Sequence, residues 1–404
     1  WLILLTTDQV NRGISLVHAR EELIDLAQLN LKAAQLATSR SAFDLAFKYL
    51  KAGITLINRL NDPFSEECDL CRDLFFSGAE VGISIGAFEE GERMIDEVIA
   101  HTDSLEDKLP AYCCKVKIIG ALGRQKEAIR IAVSVLREMG DNFPKKPHRG
   151  HVALELVKTK RLVRKMNDRA FMSLPVQRDT LRVYGMKLMA EIVSRGQLCR
   201  EKEFFAVACL RMVRLSIKYG LSAHSLYGVA KFGMILSIIG ATDEAYRMGR
   251  LTMRLLDSLD DTEEIETKCI SSVYGFLNHL RQPVKQGQHV LKSAYNRGMR
   301  NGDVEWALLA GSYVCLSAFC YGDNLLDLED YLNELHAVTR NFKKLGFTMG
   351  LFLTTLQAMQ NLLGDSDNPA ILRGDAMNEF DELPAHATEG FPEWSRAFYE
   401  LTVA

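Results

Sequence analysis

The chain is 404 residues long, with 48% hydrophobic and 25% charged side chains and a net charge of −3. This composition excludes wholesale disorder, and the length exceeds the roughly 250–300 residues that a single core usually serves, so a divided or elongated molecule is expected. The charge supplies no overall field to draw nucleic acid or an anionic membrane.

The opening WLILL, from Trp1, lacks a basic leader and a cleavage site, so it reads as the start of a fragment and not as a signal peptide. From there a helix–turn–helix unit recurs. In the first copy LNLKAAQLATSR turns near Ser41 into AFDLAFKYLKAGITLI, with Ala34 seven residues before the turn and Ala46 five after it. The second turns at Gly86, with Ala79 and Gly91 at the same offsets, and the third at Gly123, with Val116 and Ala128. The clearest copy turns at Gly240 between Gly233 and Ala245. Tetratricopeptide-type hairpins demand small side chains at these offsets, because the two helix backbones approach closely there. Apolar residues three or four apart, such as Val229, Phe232, Leu236 and then Met248, Leu251, Leu255, give each helix one buried face.

The turns advance by 45 and 37 residues, and 82 separate Gly240 from Gly322, which places an intermediate turn at Arg281. The 117 residues between Gly123 and Gly240 leave room for two further units. Within them, residues 140–151 form a loop, since Pro144 and Pro147 exclude a continuous helix. Helices are predicted over 152–165, 178–194 and 201–219, then over 325–344 and 346–363, where GDSDNP ends the pattern because Asn368 precedes Pro369. Period-two alternation is confined to Leu2–Leu5. The fold class expected is all-α, a right-handed tetratricopeptide-like superhelix of roughly eight to ten helix pairs.

Chemical motifs are sparse. Cys68 and Cys71 form a C-x-x-C, and Cys113 and Cys114 follow one unit later. Four thiolates could hold zinc, but EECDLCRDLFF reads as continuous helix, which points to core packing. The odd count of nine cysteines, with Cys199, Cys209, Cys269, Cys315 and Cys320 at apolar helix positions, suits reduced thiols in a cytosolic protein. Asp260, Asp261, Thr262, Glu263 and Glu264 superficially match the magnesium motif of helical isoprenoid synthases. The run lies between helices, where acids cap the next N-terminus, and no second acidic motif faces it. The histidines form no H-x-x-x-H pair, and GALGRQK (120–126) lacks Walker spacing. No uninterrupted apolar run reaches about 20 residues; the longest, around Gly233–Ala241, follows Lys231. Lys145, Lys146, His148, Arg149, Lys158, Lys160, Arg161, Arg164 and Lys165 cluster after Pro144. With few aromatics among them for base stacking, they read as a solvated helix face beside a loop. Tyr227, Tyr274, Asn278, His279, Tyr313 and Tyr321 suit a groove or a core, with core favoured, so no catalytic, cofactor-binding or metal-binding residue is assigned.

LRMVRLSIKYGLS (210–222), FGMILSIIGATDEAYRMGRLTMRLLD (232–257), FLNHLRQPV (276–284) and LLGDSDNP (362–369) resemble the helical-repeat region of very large signalling ATPases. In that family a serine/threonine kinase domain and an AAA-type, Orc1-like STAND ATPase module precede the repeats. GAF and PAS domains and a histidine kinase or nucleotide cyclase follow them. VNRGISLV and LAQLNLKAAQLATSRSAFDLAFKYLKAGITLI resemble the junction between ATPase module and repeats. The family shows Trp after its Asn-His pair, where this chain has Leu280. The resemblance implies that residues 1–20 end an ATPase module or linker, that 21–139 and 152–363 are repeats on either side of the 140–151 loop, and that 364–404 is a tail leading to a further helix. It also implies a non-catalytic, cytoplasmic regulatory segment. ATP and Mg2+ would be bound elsewhere in the parent chain, and the partner would be a protein, a peptide or a neighbouring domain, with neither nucleic acid nor a membrane span involved. A free-standing tetratricopeptide-type transcriptional regulator is the alternative, and an α-helical Mg2+-dependent enzyme a more distant one. In such arrays the concave face carries the ligand.

Overall fold

The structure, a computed structural model, describes residues 2–339, 346–366 and 368–378. Trp1, the expected helix beyond Thr339 and the tail from 379 to 404 lie outside the described residues. Those described are all-α, with nineteen α-helices, two isolated β-bridges and no strand. The chain divides into two compact units, Trp1–Leu122 and Gly123–Ala404, a division that falls inside the span 21–139.

In the first unit the alternating Leu2–Leu5 belongs to a helix, α1 (Leu2–Arg12), which packs on α2 (Arg20–Thr38). Asn11 and Asn30 exchange side-chain amide hydrogen bonds of 2.8 and 3.0 Å, which satisfies the buried Asn30. The hairpin of α2 with α3 (Phe43–Ile57) closes over Ala34 and Ala46, both buried, through a turn that holds Ser41 at φ +57°. After the short α4 (Pro63–Glu66), α5 (Cys68–Ile85) and α6 (Phe88–Ala100) turn at Gly86, φ +79°. The reason for the small residues is visible here: a Cβ on Gly91 would stand 3.4 Å from the Ala79 carbonyl oxygen and 3.3 Å from Ile118 Cδ1. The helix α7 (Leu105–Ala121), capped by the Ser104 hydroxyl accepting from Asp107 N–H, packs on α6 and completes the unit.

The second unit opens with α8 (Gln125–Glu138), after Gly123 at φ +83°. Of the two hairpins expected before Gly240, one is present: α11 (Thr180–Leu198) and α12 (Lys202–Tyr219) pair through a turn in which Arg200, at φ +61°, stands where the Gly86 and Gly240 turns carry glycine. The other is absent. The helix α8 packs directly on α11, while the predicted 152–165 helix begins earlier, as α9 (Arg149–Val163) with His148 as its cap, and lies on α12. Its inward face is polar, so it docks through charge and hydrogen bonds, with Arg214 Nη2 2.8 Å from Glu155 Oε2 and Thr159 Oγ1 donating to the Leu210 carbonyl. The short α10 (Asp168–Met172) follows.

Beyond Gly220 each helix packs on the next, and α13, α15 and α17 also pack on the next but one. They are α13 (Ala223–Ile238), α14 (Thr242–Leu256), α15 (Glu263–Phe276), α16 (Lys285–Asn301), α17 (Val304–Tyr321), α18 (Leu325–Thr339) and α19 (Gly346–Gln360). The Gly240 and Gly322 turns sit at φ +81° and +80°, and a 3-10 turn at Asn278–Leu280 lies where Arg281 marks the intermediate turn. A Cβ on Gly233 would stand 3.2 Å from the Ala245 carbonyl, the close approach expected of that pair. The most apolar long helix is α17 and not the Gly233 region; by length and composition it could cross a bilayer, but 72% of it is buried within the unit. Near the end of α19 Gln357 Oε1 accepts from Ala376 and Met377 N–H, and Leu372 and Met377 pack on Ala358.

Candidate functional site

Four helices of the second unit, α11, α13, α15 and α17, are buried around nearly their whole circumference. Residues 224–236 of α13 and 306–315 of α17 are buried without interruption. Such helices are ordinarily apolar all round, yet these carry charges that meet one another. Arg195 donates to Glu305 through Nη1 and Nη2 at 3.0 and 2.8 Å and lies 3.3 Å from Glu191, while Lys268 Nζ donates to Glu191 Oε1 at 2.9 Å. Burial alone would press the Arg195 guanidinium down; Glu305 and then Glu191 outweigh it and hold it above its ordinary value. The fork of Arg195 thus joins residues 110 positions apart in sequence.

A third cation, Lys231 of α13, has no carboxylate partner among the described residues. It is 1% exposed, donates to Gln197 Oε1 at 2.8 Å, and lies 5.1, 5.5 and 5.6 Å from the ring centroids of Tyr227, Trp306 and Phe276. Ring faces attract a cation, but burial dominates and brings the amine down to about 7. Tyr227 meets Trp306 edge to face, and its hydroxyl pairs with Ser194 Oγ at 3.2 Å. The buried faces of these helices therefore close on their own charges, with Arg195, Lys268, Glu191 and Glu305 as partners for one another.

An open cleft of about 260 Å³ lies instead between α14 and the end of α15, lined among others by Tyr246, Arg250, Asp257, Tyr274 and Asn278. Two of the six groove-or-core candidates are thereby placed at a cleft. Tyr227 and Tyr313 are core, while His279 and the 52% exposed Tyr321 are at the surface, Tyr321 beneath Lys285 Nζ at 4.7 Å. The core reading does not hold for those last two.

The cysteine pairs are not brought together as a ligand set. Cys68 is exposed at the start of α5, and Cys71, one turn on, is buried with its thiol donating to the Pro63 carbonyl; burial pushes that thiol up to about 11, away from the thiolate a metal requires. Cys113 and Cys114 are buried in α7. Among the described residues no three His, Cys, Asp or Glu side chains converge. The acidic run spans the turn before α15, with Asp261 at φ +56°, and the helix's first turn. Lys187 holds Glu264 at 2.9 Å and Arg297 holds Glu266 at 3.1 Å.

The sequence reading missed Glu191, Arg195, Lys231, Lys268 and Glu305. The signal was there: charged residues interrupting apolar periods at successive equivalent helices, with Glu191 and Arg195 one turn apart. Compared with protein-family models and with curated proteins, the chain matches none of them.

Proposed function

We propose that this chain is a tetratricopeptide-like, right-handed helical-repeat segment acting as a protein-interaction and regulatory arm of a multidomain, ATP-binding signal-transduction protein in the cytoplasm. The observation that carries the reading is the packing of hairpins in chain order within each unit, with left-handed turn residues and small residues at the points of closest helix approach. The segment itself is non-catalytic in this reading: its strongest charge cluster is sealed and self-neutralising, and ATP and Mg2+ belong to another part of the parent polypeptide. Its partner is a protein, a peptide or a neighbouring domain, held on surfaces other than the closed inner faces of α11 to α17.

The test begins with the reading frame upstream of Trp1. A Walker loop there, together with an ATPase rate that changes severalfold when residues 2–378 are deleted from the longer protein, supports the reading. A DNA-binding helix-turn-helix domain in its place makes the chain part of a transcriptional regulator, and an unchanged ATPase rate removes the regulatory role.

A further inference from the structure

Residues 145–165 hold eight lysines and arginines against a single acid, Glu155, in a chain whose net charge is −3. Glu155 is no counterweight at the surface, because it is buried against α12 and held by Arg214 at 2.8 Å and Arg211 at 3.7 Å. Lys145, Lys146, Arg149, Lys158, Lys160, Arg161, Arg164 and Lys165 have no ion-pair partner among the described residues. Other surface cations are paired with a nearby acid, among them Arg72 with Asp69, Arg124 with Glu127 and Lys51 with Glu90. An uncompensated run of like charge along one 15-residue helix and its leading loop is self-repulsive, so it favours an anionic neighbour.

The helix geometry adds a second observation. Glu155, Thr159 and Val163, spaced by four, face α12. The opposite side carries Leu154, 53% exposed, and Val157, 67% exposed, flanked by Lys158, Arg161, Arg164 and Lys165. Two bare aliphatic side chains stand on a convex ridge among cations, with no aromatic between them. A protein anchor wants a cleft and an aromatic or arginine hot spot seated in it, and a nucleic-acid backbone gains nothing from aliphatics in the middle of its footprint. An anionic bilayer needs neither cleft nor aromatic: the cations lie at the headgroups while the aliphatics dip to the acyl boundary.

We propose that the outward face of α9, with Lys145, Lys146 and Arg149 at its leading end, docks the protein on an anionic membrane surface, with Leu154 and Val157 as its shallow apolar contacts. It is a peripheral contact and involves no spanning segment.

Cosedimentation of the whole 404-residue chain with vesicles tests this. Binding is expected to phosphatidylcholine vesicles containing about one quarter phosphatidylserine, and not to phosphatidylcholine alone. It should weaken at least tenfold between about 0.1 M and about 0.5 M salt. K158E/R161E/K165E should abolish it. The exposed-site double variant Leu154→Asn/Val157→Asn should weaken it severalfold while circular dichroism stays unchanged. Equal binding to neutral vesicles, binding insensitive to the triple charge reversal, or no vesicle binding alongside tight binding of poly-glutamate or duplex DNA would each overturn the proposal.

Discussion

Replacing Lys231 by methionine keeps the aliphatic body of the side chain and removes its titration. The folded protein holds this amine at about 7, against an ordinary value of 10.5. Between those two values the unfolded chain binds a proton that the folded chain has released, so stability rises with pH across that window, by up to about 1.4 kcal/mol per pH unit. Below the lower value both states carry the proton and the burial penalty is present in full. The gain between about pH 6 and about pH 9 is therefore roughly 3 kcal/mol. In the opposite direction, methionine leaves Gln197 Oε1 without its donor, a cost of about 1–3 kcal/mol that is independent of pH. Urea unfolding of wild type and Lys231→Met, followed by the fluorescence of the adjacent Trp306 at several pH values, measures the difference directly, because every other titrating group is common to both. The wild-type curve should climb relative to the variant by roughly 3 kcal/mol over that interval, with the variant at no great disadvantage at pH 6. Parallel curves would refute the claim that Lys231 is desolvated without a carboxylate partner.

Removing one side of the Arg195 fork is a second perturbation: Glu305→Gln should destabilise the second unit by about 3–5 kcal/mol, as breaking a buried pair does, and a cycle with Arg195→Met should recover part of that loss. At Gly91, where a Cβ meets the Ala79 carbonyl at 3.4 Å, Gly91→Val should cost about 1–3 kcal/mol by overpacking, read as a lowered unfolding midpoint. At Gly240 nothing lies within 4 Å of a Cβ, so Gly240→Ala should show only the left-handed backbone cost of about 1–2 kcal/mol. Alkylation at pH 8 read by mass spectrometry should modify the exposed Cys68 and Cys320 and spare Cys71, whose thiol is held at about 11; rapid labelling of Cys71 in the native protein would contradict its burial.

The hairpins were legible because their signals are local. A glycine at a left-handed turn and a small residue at fixed offsets are dictated by backbone sterics within a dozen residues, which is why the Gly86 and Gly240 units could be placed from sequence. The Arg200 turn was not, because that position is left-handed without glycine, and the marker the reading relied on was missing. The α9 excursion was equally opaque. Leu154 and Val157 are left in solvent while Glu155 and Thr159 are buried beside Val163, so the hydrophobic pattern alone does not pick out the docked face. The charge cluster lay beyond reach for a different reason: Lys268 and Glu191 are 77 residues apart, and no periodicity carries that distance. Glu191, Lys231 and Glu305 interrupt apolar helices and so mark buried charges that need a partner, but the pattern does not say which residue that partner is.

The union of Arg195 with Glu305 also sets a timetable. A ribosome adds about 5–20 residues per second, so once Arg195 is synthesised roughly 5–20 s pass before its acceptor exists. For about the first two thirds of that interval α11 holds Glu191 without Lys268 and α13 has neither α15 nor α17 to cover it, and for the remainder α17 alone is missing. A stack whose helices needed only their immediate neighbours could consolidate as it emerges. This one must wait for α17, whose Glu305 and Trp306 complete the contacts of Arg195 and Tyr227, so its buried helices stay partly uncovered until that last one arrives.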